Sequence, residues 1–291
     1  MIPTAFEYRS PETIEEALAL LDKYREDAKV LSGGHSLIPA LKLRLSTPAV
    51  VVDLRRIPGL SSIEALAPGE GDGFRIGALV THHDVEASSL VKARSPLLSE
   101  VAGMIGDVQV RNFGTLVGSI CNADPAADYP AALLALGARV VIVSPRGERA
   151  VPVGDFLQGC LETALEPEEF VRSVVFPRSS PATAAYLKMR QSASGFAIVG
   201  VAVQLRMKGA VASEVDVGVT GIAERAFIAT PLEDLLQGSE ITPEAVEEAV
   251  QGIASGRELL SDLHASAEYR AHLAEVYAKR AILLGASRAV E

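Results

Sequence analysis

The 291-residue chain is 48% hydrophobic and 22% charged, the composition of an ordinary globular protein, and its length predicts two domains. The formal net charge of -10 argues against the basic surface that nucleic acids and anionic membranes require, although it leaves room for a local basic patch, for example around Arg55 and Arg56. Two cysteines are too few for a disulfide framework or for the Cys ligand set of an iron–sulfur cluster.

The start and the apolar runs of the chain predict a cytoplasmic protein without an integral membrane segment. The N-terminal sequence MIPTAFEYRSPE lacks the basic patch and apolar core of a signal peptide. The longest apolar run, from Ala131 to Val143, is interrupted by Arg139 and is shorter than the roughly 20 residues that span a bilayer. Cys121 and Cys160 are consistent with a reducing compartment.

The first part of the chain has the pattern of a small α/β unit. Apolar residues recur at helical spacing after Ser10 and Pro11, which predicts a helix with Ser10 as N-cap and Pro11 as its first residue. A strand from Ala28 to Leu31 then leads into a glycine loop. Pro39 is predicted to open a short helix through Leu45, and a second strand follows from Val50 to Leu54.

A second unit starts near Leu60 and is richer in helices. Its predicted elements are, in chain order, a strand from Phe74 to Leu79, a helix capped by Thr81, a helix from Pro96 to Ile105, a buried helix from Pro130 to Leu136, and strands from Arg139 to Ser144 and from Val171 to Phe176. The Pro-Arg-Gly sequence after Ser144 predicts a turn between strands.

The strongest linker candidate is Pro177 to Pro181, where two prolines and two serines interrupt all periodicity. The elements predicted beyond it are strands from Ala197 to Leu205 and from Val215 to Ile222, a hairpin connection over Arg206 to Glu214, a helix from Thr242 with Val246, Val250 and Ile253 on one face, and a long amphipathic helix from Ser266 to Leu284.

Two glycine-bearing loops are the main functional signal. They are LSGGHSLIP at residues 31–39 and RNFGTLVGSICNADPAADYP at residues 111–130. Each offers backbone N–H groups and hydroxyls, leads into a predicted helix, and carries glycines that permit close backbone approach to a phosphate. One Gly-Gly pair alone is usually an ordinary turn, whereas two such loops predict that the chain wraps a large dinucleotide.

These loops and both ends of the chain resemble the FAD-binding medium subunits of the xanthine oxidase family of molybdenum hydroxylases. Within that family, the segments most resemble the flavoprotein subunits of aerobic carbon monoxide dehydrogenases. The resembling segments are MIPTAFEYRSPETIEEALALL, GGHSLIPALKLRL followed by VVDL, GTLVGSICNADPAADYPAALLAL, and DLHASAEYRAHLAEVYAKRA at 262–281. The match spans essentially the whole chain and is specific for the family, not for a substrate.

The resemblance implies an α+β fold with two domains. An FAD-binding domain of the PCMH/vanillyl-alcohol-oxidase type is expected over residues 1–177, divided into subdomains at about 1–57 and 58–177. A smaller C-terminal domain with an antiparallel sheet is expected over 178–291. FAD is expected to lie extended between the subdomains, with its ring toward the C-terminal domain.

The resemblance also implies a function and partners. The chain is expected to be an electron-transfer subunit that works with a molybdenum-cofactor large subunit and a [2Fe-2S] small subunit, in a dimer of heterotrimers. Electrons would pass from the clusters to FAD and on to an external acceptor, which the resemblance leaves open among quinone, NAD and oxygen. The chain would need no catalytic acid, nucleophile or metal of its own.

By resemblance, a set of residues is assigned to FAD contact. They are Ser32, Gly33, Gly34, His35, Ser36, Leu37 and Ile38 from the first loop, Thr115, Gly118, Ser119 and Asp128 from the second, and Leu165, Lys188 and Phe196 from later segments. Two positions depart from the family pattern. Val117 stands where the family commonly has glycine, and Gly195 stands where it usually has an acidic residue before the aromatic Phe196.

Several of these residues have a plainer interpretation. His35 is expected to donate a hydrogen bond or pack near the cofactor rather than act as a base. Asp128 either holds a cofactor hydroxyl or caps the helix near Pro130. Phe196 either packs on the flavin or belongs to the core. Cys121 is expected to be a small buried thiol.

The sequence His82-His83-Asp84 has the composition of a metal site, but adjacent residues of a helix point to different faces. A polar helix start capped by Thr81 is therefore expected there.

Two other functions remain open at this point. A self-contained FAD-dependent NAD(P)H reductase would need a proton donor near the flavin, for which Ser192 and Ser194 are the candidates. A cofactor-free nucleotide-binding or assembly protein would use the same loops without a flavin.

Overall fold

A computed structural model describes residues 1–179 and 183–289 and shows an α+β protein with four sheets. Part of the predicted linker, residues 180–182, lies outside the described residues. Within the described part of the chain, no helix combines the length and the apolar character needed to cross a membrane.

The N-terminal α/β unit is confirmed. Its elements are β1 (Glu7–Arg9), α1 (Ile14–Tyr24), β2 (Ala28–Leu31), α2 (Leu37–Leu43) and β3 (Val50–Asp53), with 3₁₀ turns at Arg25–Asp27 and Leu54–Arg56. The three strands are parallel, in the order β1-β3-β2. Helix α1 buries Ala17, Leu18 and Leu21, the apolar stripe that the spacing predicts.

Both helix starts predicted in this unit are wrong. Thr13, not Ser10, is the N-cap of α1, because its hydroxyl accepts from the Glu16 amide at 3.1 Å. Pro11 is buried outside the helix. Helix α2 begins two residues before Pro39, which a first helical turn tolerates because the amides there have no intrahelical acceptor.

The next part combines a five-stranded antiparallel sheet with short helices. Its elements are β4 (Ile63–Ala65), β5 (Phe74–Gly77), α3 (His82–Ala87), α4 (Ser89–Arg94), α5 (Pro96–Gly103), α6 (Val108–Arg111), α7 (Leu116–Asn122), α8 (Tyr129–Ala135), β6 (Arg139–Ser144), β7 (Gly147–Pro152), α9 (Val153–Phe156), β8 (Leu157–Gly159), β9 (Glu162–Thr163) and β10 (Phe170–Phe176). The sheet order is β4-β5-β10-β6-β7, and β8 and β9 form a separate two-stranded hairpin.

The C-terminal domain is built on a four-stranded antiparallel sheet in the order β11-β12-β13-β14. Its elements are β11 (Ala184–Arg190), β12 (Ala197–Lys208), β13 (Val211–Thr220), β14 (Phe227–Ile228), α10 (Thr230–Leu236), α11 (Pro243–Ala249) and α12 (Ala267–Ser287). The predicted hairpin is confirmed, but its loop is much shorter than predicted. Strands β12 and β13 pair as far as Lys208 and Val211, so only Gly209 and Ala210 form the turn.

Two helix predictions in this domain need correction or extension. Helix α11 ends at Ala249, so Val250 and Ile253 follow the helix instead of lying on its face. The last helix has Ser266 as its N-cap, as the sequence suggests, and runs to Ser287 rather than to Leu284.

Helix α8 joins the two halves of the molecule. All seven of its residues are buried, which explains why the sequence YPAALLA has no polar face. It packs against β12 and β13 of the C-terminal sheet. The approach is so close that a Cβ at Gly218 would lie 2.0 Å from Ala131 O, so β13 needs glycine there.

Candidate cofactor-binding cleft

A cleft of about 650 Å³ lies where the two glycine loops meet. Its walls come from the β2–α2 loop, the segment from α6 through the turn after α7, the β8–β9 hairpin and the 194–196 turn of the C-terminal domain. The volume is in the range of about 300–1,000 Å³ that is usual for ligand pockets.

Most of the residues assigned by sequence line this one cleft. They are Ser32, Gly33, Gly34, His35, Ser36, Leu37, Thr115, Gly118, Ser119, Asp128, Leu165 and Phe196. Ile38 does not line it; its side chain packs against Gly34, where a Cβ would come within 2.7 Å of Ile38 Cδ1. Lys188 does not line it either, and lies behind Asp128. Contact of these residues with FAD stays a prediction.

The first loop presents a run of unpaired backbone donors. Its first helical hydrogen bond is from the amide of Ile38 to Gly34 O at 2.9 Å. Within residues 1–179 and 183–289, the five preceding amides, of residues 33–37, donate to no protein acceptor. Consecutive unpaired amides beside a helix start form a concave site for an anion.

The two loops are fastened to each other by hydroxyl groups. Ser32 Oγ donates to Ala78 O at 2.9 Å and lies 3.0 Å from Thr115 Oγ1, which in turn accepts from the Gly118 amide at 3.0 Å. Because the Ser32 proton goes to Ala78, Thr115 is the donor in the hydroxyl pair. Neither of these two hydroxyl protons is left for a ligand. Ser36 and Ser119 also line the cleft, and in the described part of the chain their hydroxyls do not take part in such a bond.

Glycine is required where the loops touch. A Cβ at Gly33 would lie 2.1 Å from Phe113 O of the second loop, and one at Gly114 would lie 2.6 Å from Nε2 of His82, where the second loop packs against α3. Gly34 is different, because its backbone has a φ of +79°. In the first loop, Gly33 therefore permits close contact with the second loop, and Gly34 permits the left-handed backbone that turns the chain.

The turn after α7 is held by the C-terminal domain. Thr220 Oγ1 lies 2.8 Å from Pro125 O and 2.9 Å from Ala127 O, and the Gly221 amide donates to Pro125 O at 2.9 Å. The Ala197 amide donates to Ala126 O at 3.2 Å. These bonds fix the segment that carries Asp128 into the cleft wall.

Asp128 is a buried carboxylate and does not cap α8. It accepts from Tyr186 Oη at 2.5 Å and from Lys188 Nζ at 2.9 Å. Burial raises the pKa of Asp128, while the Lys188 ammonium and the Tyr186 hydroxyl act in the opposite direction. The capping interpretation is therefore wrong, because the side chain is committed to the C-terminal domain.

Lys188 ties this carboxylate to two neighbouring segments. Its ammonium also donates to Gly195 O at 2.8 Å and to Met104 O at 3.1 Å, so all three of its protons have acceptors. Gly195 has a φ of +77° and open space where a Cβ would be. Phe196 follows it with its side chain on the cleft and 46% exposed, so it is not a core aromatic.

The two adjacent histidines lie in different environments. His82 is buried and its Nδ1 lies 3.2 Å from Tyr129 Oη, whereas His83 is exposed and Asp84 completes a capping box with Thr81. Burial lowers the pKa of His82 to about 4, with smaller contributions from His35 and Arg111, so the imidazole is neutral near pH 7. The predicted polar helix start is confirmed.

Two small side chains complete the wall. Val117, which stands where the family commonly has glycine, is buried in the core at the start of α7 and also borders the cleft. Cys121 is half-buried, not fully buried as expected, and it borders the cleft; burial raises the pKa of its thiol to about 12, so the thiol stays protonated.

One lining residue, Leu161, has no sequence signal. It lies in the turn of the β8–β9 hairpin with a φ of 60°, a conformation that leucine rarely adopts. Sequence reasoning had no means to find it, since turn rules place glycine or asparagine at such positions.

Comparison with known proteins identifies the family. Residues 4–179 match the model of the FAD binding domain in molybdopterin dehydrogenase, and residues 184–284 match the CO dehydrogenase flavoprotein C-terminal domain. The chain belongs to the FAD-binding medium subunits of the molybdenum hydroxylases. Its cofactor is FAD and it is an oxidoreductase subunit, so the cofactor-free interpretation is wrong.

Relatives match over nearly the full length. The chain is 38% identical over 283 residues to the carbon monoxide dehydrogenase medium chain of Hydrogenophaga pseudoflava, covering 97% of each chain. It is 35% identical to the nicotine 6-hydroxylase medium subunit of Paenarthrobacter nicotinovorans, covering 98% of each. A solved carbon monoxide dehydrogenase from Hydrogenophaga pseudoflava superposes with a TM-score of 0.94 at 36% identity, covering 99% of each chain.

Proposed function

We propose that this subunit transfers electrons within a heteromeric molybdenum hydroxylase, with a molybdenum-cofactor large subunit and a [2Fe-2S] small subunit as partners. Bound FAD supplies the chemistry, because a flavin accepts electrons singly from clusters and passes on one or two. The observation that supports this proposal most directly is the run of unpaired amides of residues 33–37 beside a cleft that both glycine loops line, because these amides suit the diphosphate of FAD.

The cleft residues are proposed to bind and orient. The amides of residues 33–37 would hold the diphosphate, since they lack protein acceptors and lie beside a helix start. Asp128, oriented by Tyr186 and Lys188, would accept a hydrogen bond from a cofactor hydroxyl through its remaining lone pairs. Phe196 would pack on the isoalloxazine.

The reductase alternative finds little support in the cleft. Ser194 lines it, but the Ser194 hydroxyl donates to Gln191 Oε1 at 2.6 Å and so is not directed at a ligand. His82 is neutral and packed against Tyr129. An electron route that needs no proton donor from this chain agrees better with these side chains.

The substrate is proposed to bind elsewhere. The named relatives include a carbon monoxide dehydrogenase and a nicotine hydroxylase, whose substrates differ greatly, yet their medium chains match this one over nearly its whole length. This supports a large subunit that selects and hydroxylates the substrate, and an assembly of two heterotrimers.

The partner surface is proposed at the rim of the cleft. Phe113 is 61% exposed beside the first loop, where its ring lies edge-on to His35 at 6.0 Å, and Val108 is 62% exposed on α6. Exposed apolar side chains around a cofactor cleft suit burial against a partner, which for a stable contact covers about 800 Å² per side. The exposed side of α12 near Tyr269 is a second candidate.

Co-expression with the neighbouring subunits tests the assignment. We expect one yellow complex by size-exclusion chromatography that contains molybdenum and iron, and an isolated chain that binds FAD without hydroxylase activity. Phe113→Glu should weaken assembly, whereas Leu235→Glu, at a leucine of α10 that is 60% exposed and outside the cleft, should not. If the chain does not associate with these subunits and its flavin is reduced rapidly by NAD(P)H alone, the reductase function would be established instead.

A further inference from the structure

Leu161 combines two unfavourable features in one residue of the cleft. Its side chain is 62% exposed, and its backbone lies in the left-handed region at a φ of 60°. An isolated exposed leucine needs no explanation, but left-handed non-glycine residues cluster at ligand sites where the surrounding structure enforces them. Leu161 lines the cleft, so its left-handed conformation occurs at a candidate ligand site.

The surroundings hold Leu161 in place. Its amide donates to Ala123 O at 3.0 Å, and Ala123 is itself left-handed, with a φ of 48°. At the base of the hairpin, Arg225 Nη1 of the C-terminal domain donates to Leu157 O at 2.7 Å, and the Ala164 amide donates to Phe156 O at 2.9 Å. The hairpin is therefore held at its base and at its tip, and the backbone of Leu161 is fixed at the wall of the cleft.

We infer that Leu161 is a cofactor-contact residue that covers part of the bound FAD and slows its release. The inference rests on the proposed placement of FAD in this cleft. A fixed apolar side chain on a cleft wall gains its burial only when a ligand occupies the cleft. Leu165, beyond the hairpin, also lines the cleft but packs partly against the core, whereas Leu161 is the lining residue of the hairpin itself and is exposed.

The test compares FAD release from full-length variants. Leu161→Gly suits the left-handed backbone and removes the side chain, so the apoprotein should unfold at the wild-type temperature or above it. FAD dissociation, followed by the fluorescence of released flavin, should become at least about tenfold faster, as expected when a large apolar contact is lost. Leu161→Met should stay within about twofold of wild type, because methionine keeps the apolar contact.

Leu263→Gly is the matched control, an exposed leucine in a loop outside the cleft, and should release FAD at the wild-type rate. Wild-type release from Leu161→Gly, or equally fast release from Leu161→Met, would overturn the inference. If FAD bound elsewhere on the chain, changes at Gly34 would also leave retention untouched. If only the inference about Leu161 were wrong, a substitution at Gly34 would still cause loss of FAD.

Discussion

Gly34 is the residue at which backbone conformation and cofactor binding are most directly linked. Gly34→Val should abolish FAD retention while the chain still folds, because valine resists a φ of +79° and its Cβ would meet Ile38 Cδ1 at 2.7 Å. The loop would have to rearrange, and with it the amides that face the cleft. Flavin absorbance per purified chain measures the loss.

Gly209→Val is the matched control for this change. Gly209 also has a positive φ, of +64°, but lies in the β12–β13 turn with open space around it. It should lower stability and leave flavin content unchanged. A fully yellow Gly34→Val protein would show that Gly34 does not shape the cofactor site.

Phe196 and Tyr269 allow a comparison between two aromatic residues of nearly equal exposure, 46% and 44%. Only Phe196 lines the cleft. Phe196→Ala should therefore raise the dissociation constant for FAD or shift the flavin potential, by about tenfold in affinity if the ring packs on the isoalloxazine. Tyr269→Ala should change neither, and equal effects in titration and potentiometry would contradict the role of Phe196.

At the scale of single residues, the sequence predicted that most of the assigned residues lie at one cleft, but not which contact each of them makes. Glycine and hydroxyl residues mark both loops, yet Ser32 and Thr115 bond to each other and Gly33 accommodates Phe113 O. These uses depend on contact between segments about eighty residues apart, which local patterns do not encode. The left-handed Leu161 was out of reach because turn rules place glycine or asparagine at such positions.

Helix α10 is attached to the C-terminal sheet through a carboxyl group. Glu233 Oε1 accepts from the Val217 amide of β13 at 2.7 Å. Burial raises the pKa of Glu233 to about 7, Asp216 and Asp234 add to the rise, and the bond from Val217 opposes it. The folded protein therefore keeps a proton on Glu233 at pH values where the unfolded chain has lost it.

This attachment predicts a pH dependence of stability. The contribution from Glu233 is fully present below the ordinary pKa of 4.5 and is lost as the pH rises through about 7. After allowance for solvent screening, the loss is about 1–2 kcal/mol. Glu233→Gln keeps the acceptor for Val217 and should flatten the urea-unfolding free energy between these pH values. The exposed Glu244→Gln in α11 is the control, and an unchanged slope in Glu233→Gln would exclude this carboxyl as the cause.

Elements with a periodic pattern were predicted well, and their ends were not. Strand β6 has the predicted bounds of Arg139 to Ser144, and the buried helix near Pro130 is displaced by one residue. Helix α1 was started too early because Ser10-Pro11 and Thr13 both carry start signals, and only tertiary packing of Pro11 decides between them. The β12–β13 hairpin was given too long a loop because its strand ends carry the charged residues Arg206, Lys208 and Glu214, of which only Lys208 is exposed.

A buried ion pair, Lys188–Asp128, joins the two halves of the molecule. The side chains of Lys188 and Asp128 are each 6% exposed. Lys188→Met should lower the free energy of unfolding by about 3–5 kcal/mol, because it leaves a buried carboxylate without its counter-charge. Removing the carboxylate as well, in Lys188→Met with Asp128→Leu, should restore part of the loss.

Lys279→Met is the control for this prediction. Lys279 pairs with Glu247 at the surface, where the two side chains are 36% and 57% exposed, and such pairs contribute less than about 1 kcal/mol. Denaturant unfolding of the three variants compares them. A loss at Lys188 no larger than that at Lys279 would mean that the pair does not hold the halves together.

The hydrogen bonds from Thr220, Gly221 and Ala197 to the turn at residues 125–127 set an order of events during synthesis. The loops of the cleft leave the ribosome first, but the wall that carries Asp128 is fixed only by strands that are translated later. A nascent chain therefore has both glycine loops long before it has a finished cofactor site. We therefore expect FAD to bind only after the C-terminal sheet has been synthesised.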